Sequence, residues 1–244
     1  MKYKRIFILI ISVLMILIIP IIIFGFNFNS VTFNEDFYKR EFLKYNIYNN
    51  LKNYDIETIN DDVLSYLKSE KNNKLIKNDF FNEREKLHLL DVKNLVQKAF
   101  MTYSSSLFLF LLLFILLIIL LNFNFKIIIK KLSIILSIGS LLTLLNSFIF
   151  FILSNINFDF LFNIFHKTFF SVGTYLFNPA FENIVVLYPK DLFLDFLIKM
   201  ISNTILLSII ILFFSLALLF IFFKSNPKTF FVNLSTIKIK NRKV

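Results

Sequence analysis

The sequence predicts a mainly α-helical membrane protein: four transmembrane helices with a small extracytoplasmic cap of mixed α+β structure. Two observations lead to this fold class. The 244-residue chain is 57% hydrophobic, with 35 Phe but only three Gly and four Pro. It also holds four apolar runs of about 20 residues, the length that crosses a hydrocarbon core of roughly 30 Å as a helix. The predicted spans are residues 6–26, 107–125, 132–153 and 204–223.

The first apolar run follows the basic start MKYKR, as the hydrophobic part of a signal peptide would. The run is long for a signal peptide, and the segment GFNFNS at its end is a poor cleavage site because it lacks a small-x-small pattern. We therefore predict an uncleaved anchor and a single membrane domain over residues 1–244.

Basic residues are distributed unevenly around the predicted spans. The N-terminal tail, the link between the second and third spans and the C-terminal tail carry basic residues and no acid. The positive-inside rule assigns these segments to the cytoplasm, so both termini are predicted inside and loops 27–106 and 154–201 outside. The basic residues concerned are Lys2, Lys4, Arg5, Lys126, Lys130, Lys131, Lys224, Lys228, Lys238, Lys240, Arg242 and Lys243.

Composition argues against several kinds of function. Much of the net charge of +11 lies beside the predicted spans, where it suits anionic lipid headgroups better than nucleic acid. The chain has no Cys, so it has neither disulfides nor a thiol nucleophile. It also lacks the GxSxG motif of serine hydrolases.

Two stretches of the outside loops predict short strands. Phe24, Phe26 and Phe28 alternate with smaller or polar residues where the chain leaves the first span. In the second loop the apolar run 183–188 has the composition of a strand, and Pro189 is suited to open the helix of the fourth span. We expect these two strands to pair as a small sheet in the cap.

The rest of the first outside loop has helical spacing. The segment EDFYKREFLKYNIYNNLKNYD predicts helix, and TINDDVLSYLKSEKNN predicts a second helix capped near Asn60 or Asp61. Asn82 and Glu85 then form a capping-box pattern, which predicts a third helix starting near Glu83.

The chain has two histidines, and both lie in the outside loops. His88 is on the helix predicted to begin near Glu83, and His166 follows the third span, ahead of the helix breakers Gly173 and Pro179. Imidazole is the side chain best suited to proton transfer at pH 7. The two histidines are therefore the acid–base candidates; the alternative is that each is a hydrogen-bonded structural residue.

Two carboxylates accompany His88 on its helix. Glu85 and Asp91 lie three residues to either side, on roughly the same face, where a carboxylate can orient an imidazole. These residues and His166 could also ligate zinc, although the sequence has no HExxH motif. A straight, upright helix would lift His88 about 28 Å above the predicted second span. Lipid chemistry at His88 therefore requires a kink, a tilt or an earlier membrane entry near residues 95–100.

At two places the outside loops resemble the signature of the lipoprotein intramolecular transacylase (Lit) family of four-span bacterial membrane proteins. The first is NEREKLHLLDVKNL; the second runs from Phe-His through a Phe-rich stretch and Asn-Pro to a later Pro. Tyr175 stands where the pattern has Trp, and Glu182 where it has Asp. The residues at the motif positions are Glu83, Arg84, Glu85, His88, Asp91, Val92, Lys93, Leu95, Phe165, His166, Phe169, Phe170, Tyr175, Asn178, Pro179 and Pro189.

The resemblance implies acyl transfer within one substrate molecule. The α-amino group of a lipoprotein's diacylglyceryl-cysteine attacks an O-acyl ester of its own lipid, giving a lyso-form lipoprotein. On this basis we expect His88 to act as the base, oriented by Glu85 or Asp91, and His166 as the acid or oxyanion partner. The two histidine roles are open to reversal.

The remaining expectations concern support, location and partners. Tyr175, Lys93 or backbone N–H groups are the candidate oxyanion donors, and Arg84 is a supporting residue. No cofactor or metal is implied. The expected location is the bacterial cytoplasmic membrane, with the site at the outer leaflet surface and with diacylglyceryl-modified lipoproteins and membrane lipid as partners. Two alternatives remain: a non-catalytic four-span envelope assembly protein and a metal-dependent hydrolase.

Overall fold

A computed structural model describes residues 2–69, 74–170 and 175–224. Gly173 and the tail residues beyond Lys224 therefore lie outside the described residues. The described residues form nine helices. They are α1 (Lys2–Thr32), α2 (Glu35–Lys44), α3 (Ile47–Asn50), α4 (Ile56–Lys68), α5 (Glu83–Leu120), α6 (Phe125–Ile156), α7 (Phe158–Phe169), α8 (Ile184–Leu187) and α9 (Lys190–Lys224).

Four of these helices, α1, α5, α6 and α9, are long and apolar enough to cross a membrane. This confirms the predicted number of candidate spans. Large apolar side chains on all four point away from the protein, among them Leu9, Phe108, Phe148 and Phe213. Hydrocarbon is the solvent that such surfaces require.

The predicted strands are wrong, because the described part of the chain contains helices at both places. α1 continues unbroken to Thr32, and a single helical turn, α8, occupies Ile184–Leu187. Phe24 and Phe28 are also spaced four residues apart, so they share one helix face and reach Phe150 and Phe100 respectively. The cap is therefore helical, and the expected α+β cap is not formed by the described residues.

The helix starts in the first loop show how local sequence fixes the backbone. α4 is capped by Asp55, whose carboxylate accepts from Thr58 N at 3.2 Å, and so begins earlier than the predicted cap at Asn60 or Asp61. The predicted capping box at the start of α5 is confirmed. The Asn82 side chain accepts from Glu85 N at 3.0 Å, and the Glu85 carboxylate accepts from Asn82 N at 2.6 Å.

The chain divides into two compact units. The first comprises the described parts of Met1–Pro20, Phe108–Leu144 and Leu206–Val244. Within it, Gly139 lies so close to Ile19 that an added Cβ would meet the Ile19 side chain at 2.4 Å. Small residues of this kind let membrane helices pack tightly, and hydroxyl pairs such as Ser137–Ser215, 2.8 Å apart, add hydrogen bonds.

The second unit comprises Ile21–Leu107 and Leu145–Ile205, and it contains both histidines. Its core is a cluster of buried apolar residues from the two loops that the sequence predicts to lie outside. Aromatic contacts join the loops: Tyr188 packs on Tyr38 and Phe42, and its hydroxyl donates to Asn60 Oδ1 at 3.0 Å. This core fixes the start of α5, and hence His88, relative to the second loop.

Candidate active site

His88 lies two turns into α5 and is 8% exposed. The capping box sets the start of that helix, so the position of the ring follows directly from Asn82 and Glu85. Within the described residues the buried Nδ1 atom of His88 has no hydrogen-bond partner. Phe170 and Phe177 pack on the ring at centroid distances of 4.7 and 5.2 Å. The ring is thus enclosed by apolar groups that disfavour a positive charge.

His166 lies near the end of α7, a helix capped by Asn157, which accepts from Phe160 N at 2.9 Å. Its Nδ1 is 2.8 Å from the carbonyl oxygen of Phe162. Because a carbonyl can only accept, Nδ1 carries the proton and donates it. In the neutral ring the lone pair is therefore on Nε2, which is able to accept a proton from a substrate.

The pKa of His166 is lowered from its usual value of 6.5, chiefly because burial penalises the imidazolium. The hydrogen bond to Phe162 acts in the opposite direction, since Nδ1–H donates more strongly when the ring is charged. Because burial has the larger effect, the pKa of His166 stays below 6.5. The ring is therefore neutral at pH 7, and its Nε2 lone pair is available.

The two histidines meet although they come from different loops. Their rings are nearly parallel, 13° apart, with centroids separated by 6.3 Å. Phe170 contacts both rings, at 4.7 Å from His88 and 5.2 Å from His166, and Tyr175 packs on His166 at 5.4 Å. Two neutral imidazoles therefore share one aromatic-walled site.

The carboxylate of Glu85 is directed to the backbone and joins the two loops. Glu85 is 1% exposed; one oxygen accepts from Asn82 N and the other accepts from Ile184 N, in the second loop, at 2.7 Å. Beside this bond, Asn183 donates to the carbonyl of Phe80 at 2.8 Å. Both oxygens of Glu85 are thus occupied by N–H groups. Asp91, the other expected partner of His88, lies one turn further along α5 and is partly buried.

Arg84 also reaches the second loop. Its guanidinium pairs with Glu182 at 2.6 Å, donates to the carbonyl of Leu176 and lies over the ring of Phe177 at 4.9 Å. Sequence reasoning missed Phe177 as a wall of the site and Glu182 as the partner of Arg84. The only available sign was that Glu182 occupies a position at which the resemblance expects an acid.

Lys93 makes its contacts with α4 and the residue that follows it. It is 1% exposed, its ammonium donates to Ser69 Oγ at 2.8 Å, and it lies over the ring of Tyr66 at 4.5 Å. These residues line a separate cavity of about 270 Å³, together with Asp62, Lys74, Leu75, Ile76 and Lys77. Lys93 is five residues beyond His88, about 140° around the helix, so its buried end points away from the histidine pair.

The zinc alternative has too few ligands in the part of the chain that the structure describes. There, no three His, Asp or Glu side chains converge in a way that could hold a metal ion. The histidine pair alone supplies two nitrogen ligands, and a catalytic zinc site uses three protein ligands.

Comparison with known proteins gives one family and one fold. The family described as lipoprotein intramolecular transacylase Lit matches residues 13–193. No curated protein sequence matches the chain. Crystal structures of the membrane integral lipoprotein intramolecular transacylase Lit from Bacillus cereus have a similar fold, with a TM-score of 0.73. One is 22% identical and covers 89% of this chain and 96% of its own; a second, with a histidine replaced by arginine, is 20% identical and covers 89% and 94%.

Proposed function

This chain belongs to the lipoprotein intramolecular transacylase Lit family, and we propose that His88 and His166 together carry out its acyl transfer. The chain is an acyltransferase: it moves an O-acyl chain of a diacylglyceryl-cysteine to the α-amino group of the same cysteine, which leaves a lyso-form lipoprotein. The observation that supports the catalytic role of the histidines is their parallel contact at 6.3 Å, in a site walled by aromatic rings.

The reaction needs proton transfer more than it needs a protein nucleophile. Amine and ester belong to one molecule, so positioning alone lowers the barrier by several kcal/mol, and no acyl-enzyme is required. The α-amino group has a pKa of about 8 and is largely protonated at pH 7. A base must take a proton from the attacking nitrogen, and an acid must give one to the departing glyceryl oxygen.

His166 is the base in this proposal, because its tautomer leaves Nε2 free to accept. As the amine nitrogen bonds to the ester carbonyl carbon, Nε2 takes the amine proton. When the tetrahedral intermediate collapses, the bond between that carbon and the glyceryl oxygen breaks, and the imidazolium returns the proton to the oxygen. The products are an amide, a free hydroxyl and a neutral histidine. The hydrogen bond to Phe162 thus favours the reverse of the role expected from the sequence.

His88 is the oxyanion partner in this proposal. Its ring is buried against Phe170 and Phe177, where charge is disfavoured, so it acts as a neutral N–H donor. A donor held in a dry site stabilises the negative charge that develops on the ester oxygen, and removing such a donor typically costs about 10²–10³ in kcat. Tyr175 and backbone N–H groups remain candidates for a second donor.

The site lies at the outer lipid surface in this proposal. α7 begins two residues after α6 ends and presents large exposed apolar side chains along its length, among them Phe160, Ile164 and Phe165. Such a helix, following directly from a membrane span, is suited to the lipid interface. Since His166 is on α7 and His88 stacks against it, both rings would then be within reach of lipid.

The length of α5 is consistent with this position. The helix has 38 residues and rises about 57 Å, nearly twice the hydrocarbon thickness, so its charged first turns stand outside the lipid. Because α5 is one continuous helix, a kink does not bring His88 to the lipid surface. In this proposal a tilt of the helix, or membrane entry before residue 107, does so.

The test is to express the chain in bacteria that lack other lipoprotein N-acylation, isolate the N-terminal lipopeptide and fragment it. Transfer gives an isomer of unchanged mass, so fragment ions must locate the acyl chain on nitrogen. The wild type is expected to give N-acyl lipopeptide, and His88→Ala and His166→Ala to leave the amine free while remaining inserted in the membrane. A non-catalytic assembly protein predicts a free amine with all three. Full N-acylation by both variants would overturn the histidine mechanism.

A further inference from the structure

A short segment of the second loop, residues 175–182, lies across the histidine pair; it is called the strap below. Its first residue, Tyr175, packs on His166 at 5.4 Å, and Phe177, two residues later, packs on His88 at 5.2 Å. One strap side chain therefore covers each catalytic ring. The conformation of the strap decides how far substrate and water reach the site.

The strap is held to α5 by Arg84. The guanidinium pairs with Glu182 at one end of the strap, donates to the Leu176 carbonyl near the other end and lies over the Phe177 ring. Glu182 is itself buried, and its second oxygen accepts from Asn178 N at 2.5 Å. Arg84 thus contacts the strap at three residues. The carboxylate of Glu182 also joins the end of the strap to Asn178 within the strap.

These contacts differ from those of an ordinary surface ion pair. Exposed pairs contribute roughly 0–1 kcal/mol because water screens both charges. Here the carboxylate of Glu182 is buried, so removing the cation would leave a buried charge without its partner. Lysine cannot substitute, because its ammonium lacks the planar fork that contacts an acid and a carbonyl together while stacking on a ring.

We propose that Arg84 is a positioning residue that clamps the strap over both histidines and so keeps the acyl-transfer site closed until substrate enters. The inference rests on the proposed function, since closure matters only if the histidines react. Arg84 acts through Phe177 and Tyr175 rather than on the substrate. Closure excludes water, which strengthens each hydrogen bond to the reacting ester.

The first experiment measures how accessible the histidine rings are to a chemical reagent, and it does not depend on catalytic activity. Diethyl pyrocarbonate modifies neutral imidazoles, and the chain has only two histidines, so mass spectrometry of two peptides follows each ring in the purified full-length protein. Arg84→Met and Arg84→Lys are expected to raise the modification rate of His88 by about tenfold, as local opening exposes it. Lys39→Gln, which removes an ion pair with Glu57 elsewhere in the cap, is the matched control and should leave the rate unchanged.

Unchanged modification of His88 in folded Arg84→Met protein would overturn the clamp. Thermal unfolding in the same detergent identifies folded variants, and Glu182→Gln provides a second test if Arg84→Met does not fold. Glu182→Gln keeps the size of the side chain but removes its charge, and it should also speed modification.

The second experiment separates this inference from the proposed function. Folded Arg84 variants are expected to lose kcat about 10-fold or more, since water enters the site, whereas Lys39→Gln keeps it. One outcome is that His88→Ala and His166→Ala are inactive, while Arg84→Met is modified by diethyl pyrocarbonate and transfers acyl chains at the wild-type rates. The clamp then fails and the histidine mechanism stands. If Arg84→Met exposes His88 while His88→Ala and His166→Ala still transfer acyl chains, the histidine mechanism fails and the strap remains a structural clamp.

Discussion

The two imidazoles of the site differ in the hydrogen bond at Nδ1, and the proposed mechanism assigns their roles from that difference. His166 donates from Nδ1 to a carbonyl, which fixes its tautomer and leaves Nε2 as an acceptor. His88 has no such partner for Nδ1 among the described residues and lies against Phe170 and Phe177. A fixed acceptor is suited to take a proton, and an apolar pocket is suited to a neutral donor.

Glutamine substitutions test this division, since an amide donates hydrogen bonds but is not a base. His88→Gln is expected to be roughly tenfold or more as active as His88→Ala, because the amide N–H replaces the oxyanion donor that alanine removes. His166→Gln is expected to fall about as far as His166→Ala, roughly 10²–10⁴-fold below wild type. Initial rates of N-acylation on a synthetic diacylglyceryl lipopeptide give the comparison. The opposite pattern would show that His88 is the base.

The pH dependence of kcat/KM reports the same base. The pKa of His166 is lowered below 6.5 by burial, and a base works only when neutral, so activity is retained above that pKa and lost as pH falls through it. The substrate amine must also be neutral, with a pKa of about 8. Log kcat/KM should therefore rise with a slope of about 1 between the two pKa values and about 2 below the lower one. A lower pKa at or above 6.5 would contradict the assignment of the base to the buried His166.

At the scale of the element, Glu85 joins the start of α5 to the start of α8. Its two oxygens accept from Asn82 N in one loop and Ile184 N in the other. Helix capping alone is worth about 1 kcal/mol, and leaving the buried N–H group of Ile184 unpaired costs about 1–3 kcal/mol more. The buried carboxylate is therefore a structural link on which the meeting of the two histidine-bearing loops depends.

Glu85→Ala should lower the free energy of unfolding by roughly 2–4 kcal/mol, and Glu85→Gln by less, because an amide oxygen still accepts from one of the two N–H groups. Thermal unfolding of the purified protein in detergent gives the ranking. Glu83→Ala is the control: that carboxylate is 77% exposed and, among the described residues, pairs only with Lys86, so its loss should be within about 0.5 kcal/mol. Equal unfolding temperatures for Glu85→Ala and Glu83→Ala would contradict the link.

Elements differ in how well their sequences predict them. The four long helices follow from apolar runs because lipid leaves the backbone no other partner, and the start of α5 follows from the Asn82–Glu85 pattern. The alternation of Phe24, Phe26 and Phe28 led to a wrong prediction of a strand. Residues four apart also share a helix face, and α1 continues through all three. Short apolar runs such as 184–187 fit a strand or one helical turn equally, and the Glu85 bond to Ile184 that favours the turn is a tertiary contact.

The two histidines were predictable as candidate site residues, whereas the strap was not. Histidine is so rare in this chain that both residues were candidates from composition and chemistry alone. In the sequence, by contrast, Arg84 and Glu182 are two charged residues without a distinguishing pattern. They pair only when the second loop folds onto α5. Contacts between loops distant in sequence leave no local pattern.

At the scale of the whole molecule, the mechanism requires both outside loops to be on the extracytoplasmic side, where lipoproteins present their lipidated N-termini. The charge distribution favours this orientation, since the basic link between the second and third spans carries no acid. The absence of cysteine makes the orientation directly measurable, because a single introduced cysteine is the only labelling site in the chain.

Tyr54→Cys and Phe123→Cys mark the two sides: Tyr54 is 48% exposed, between α3 and α4, and Phe123 is 73% exposed, in the turn between α5 and α6. A membrane-impermeant maleimide should label Tyr54→Cys in intact cells and Phe123→Cys only after permeabilisation. The reverse pattern would place His88 and His166 in the cytoplasm. Acyl transfer on exported lipoproteins would then be impossible at this histidine pair, whatever its geometry, because neither substrate amine nor outer-leaflet ester would reach it.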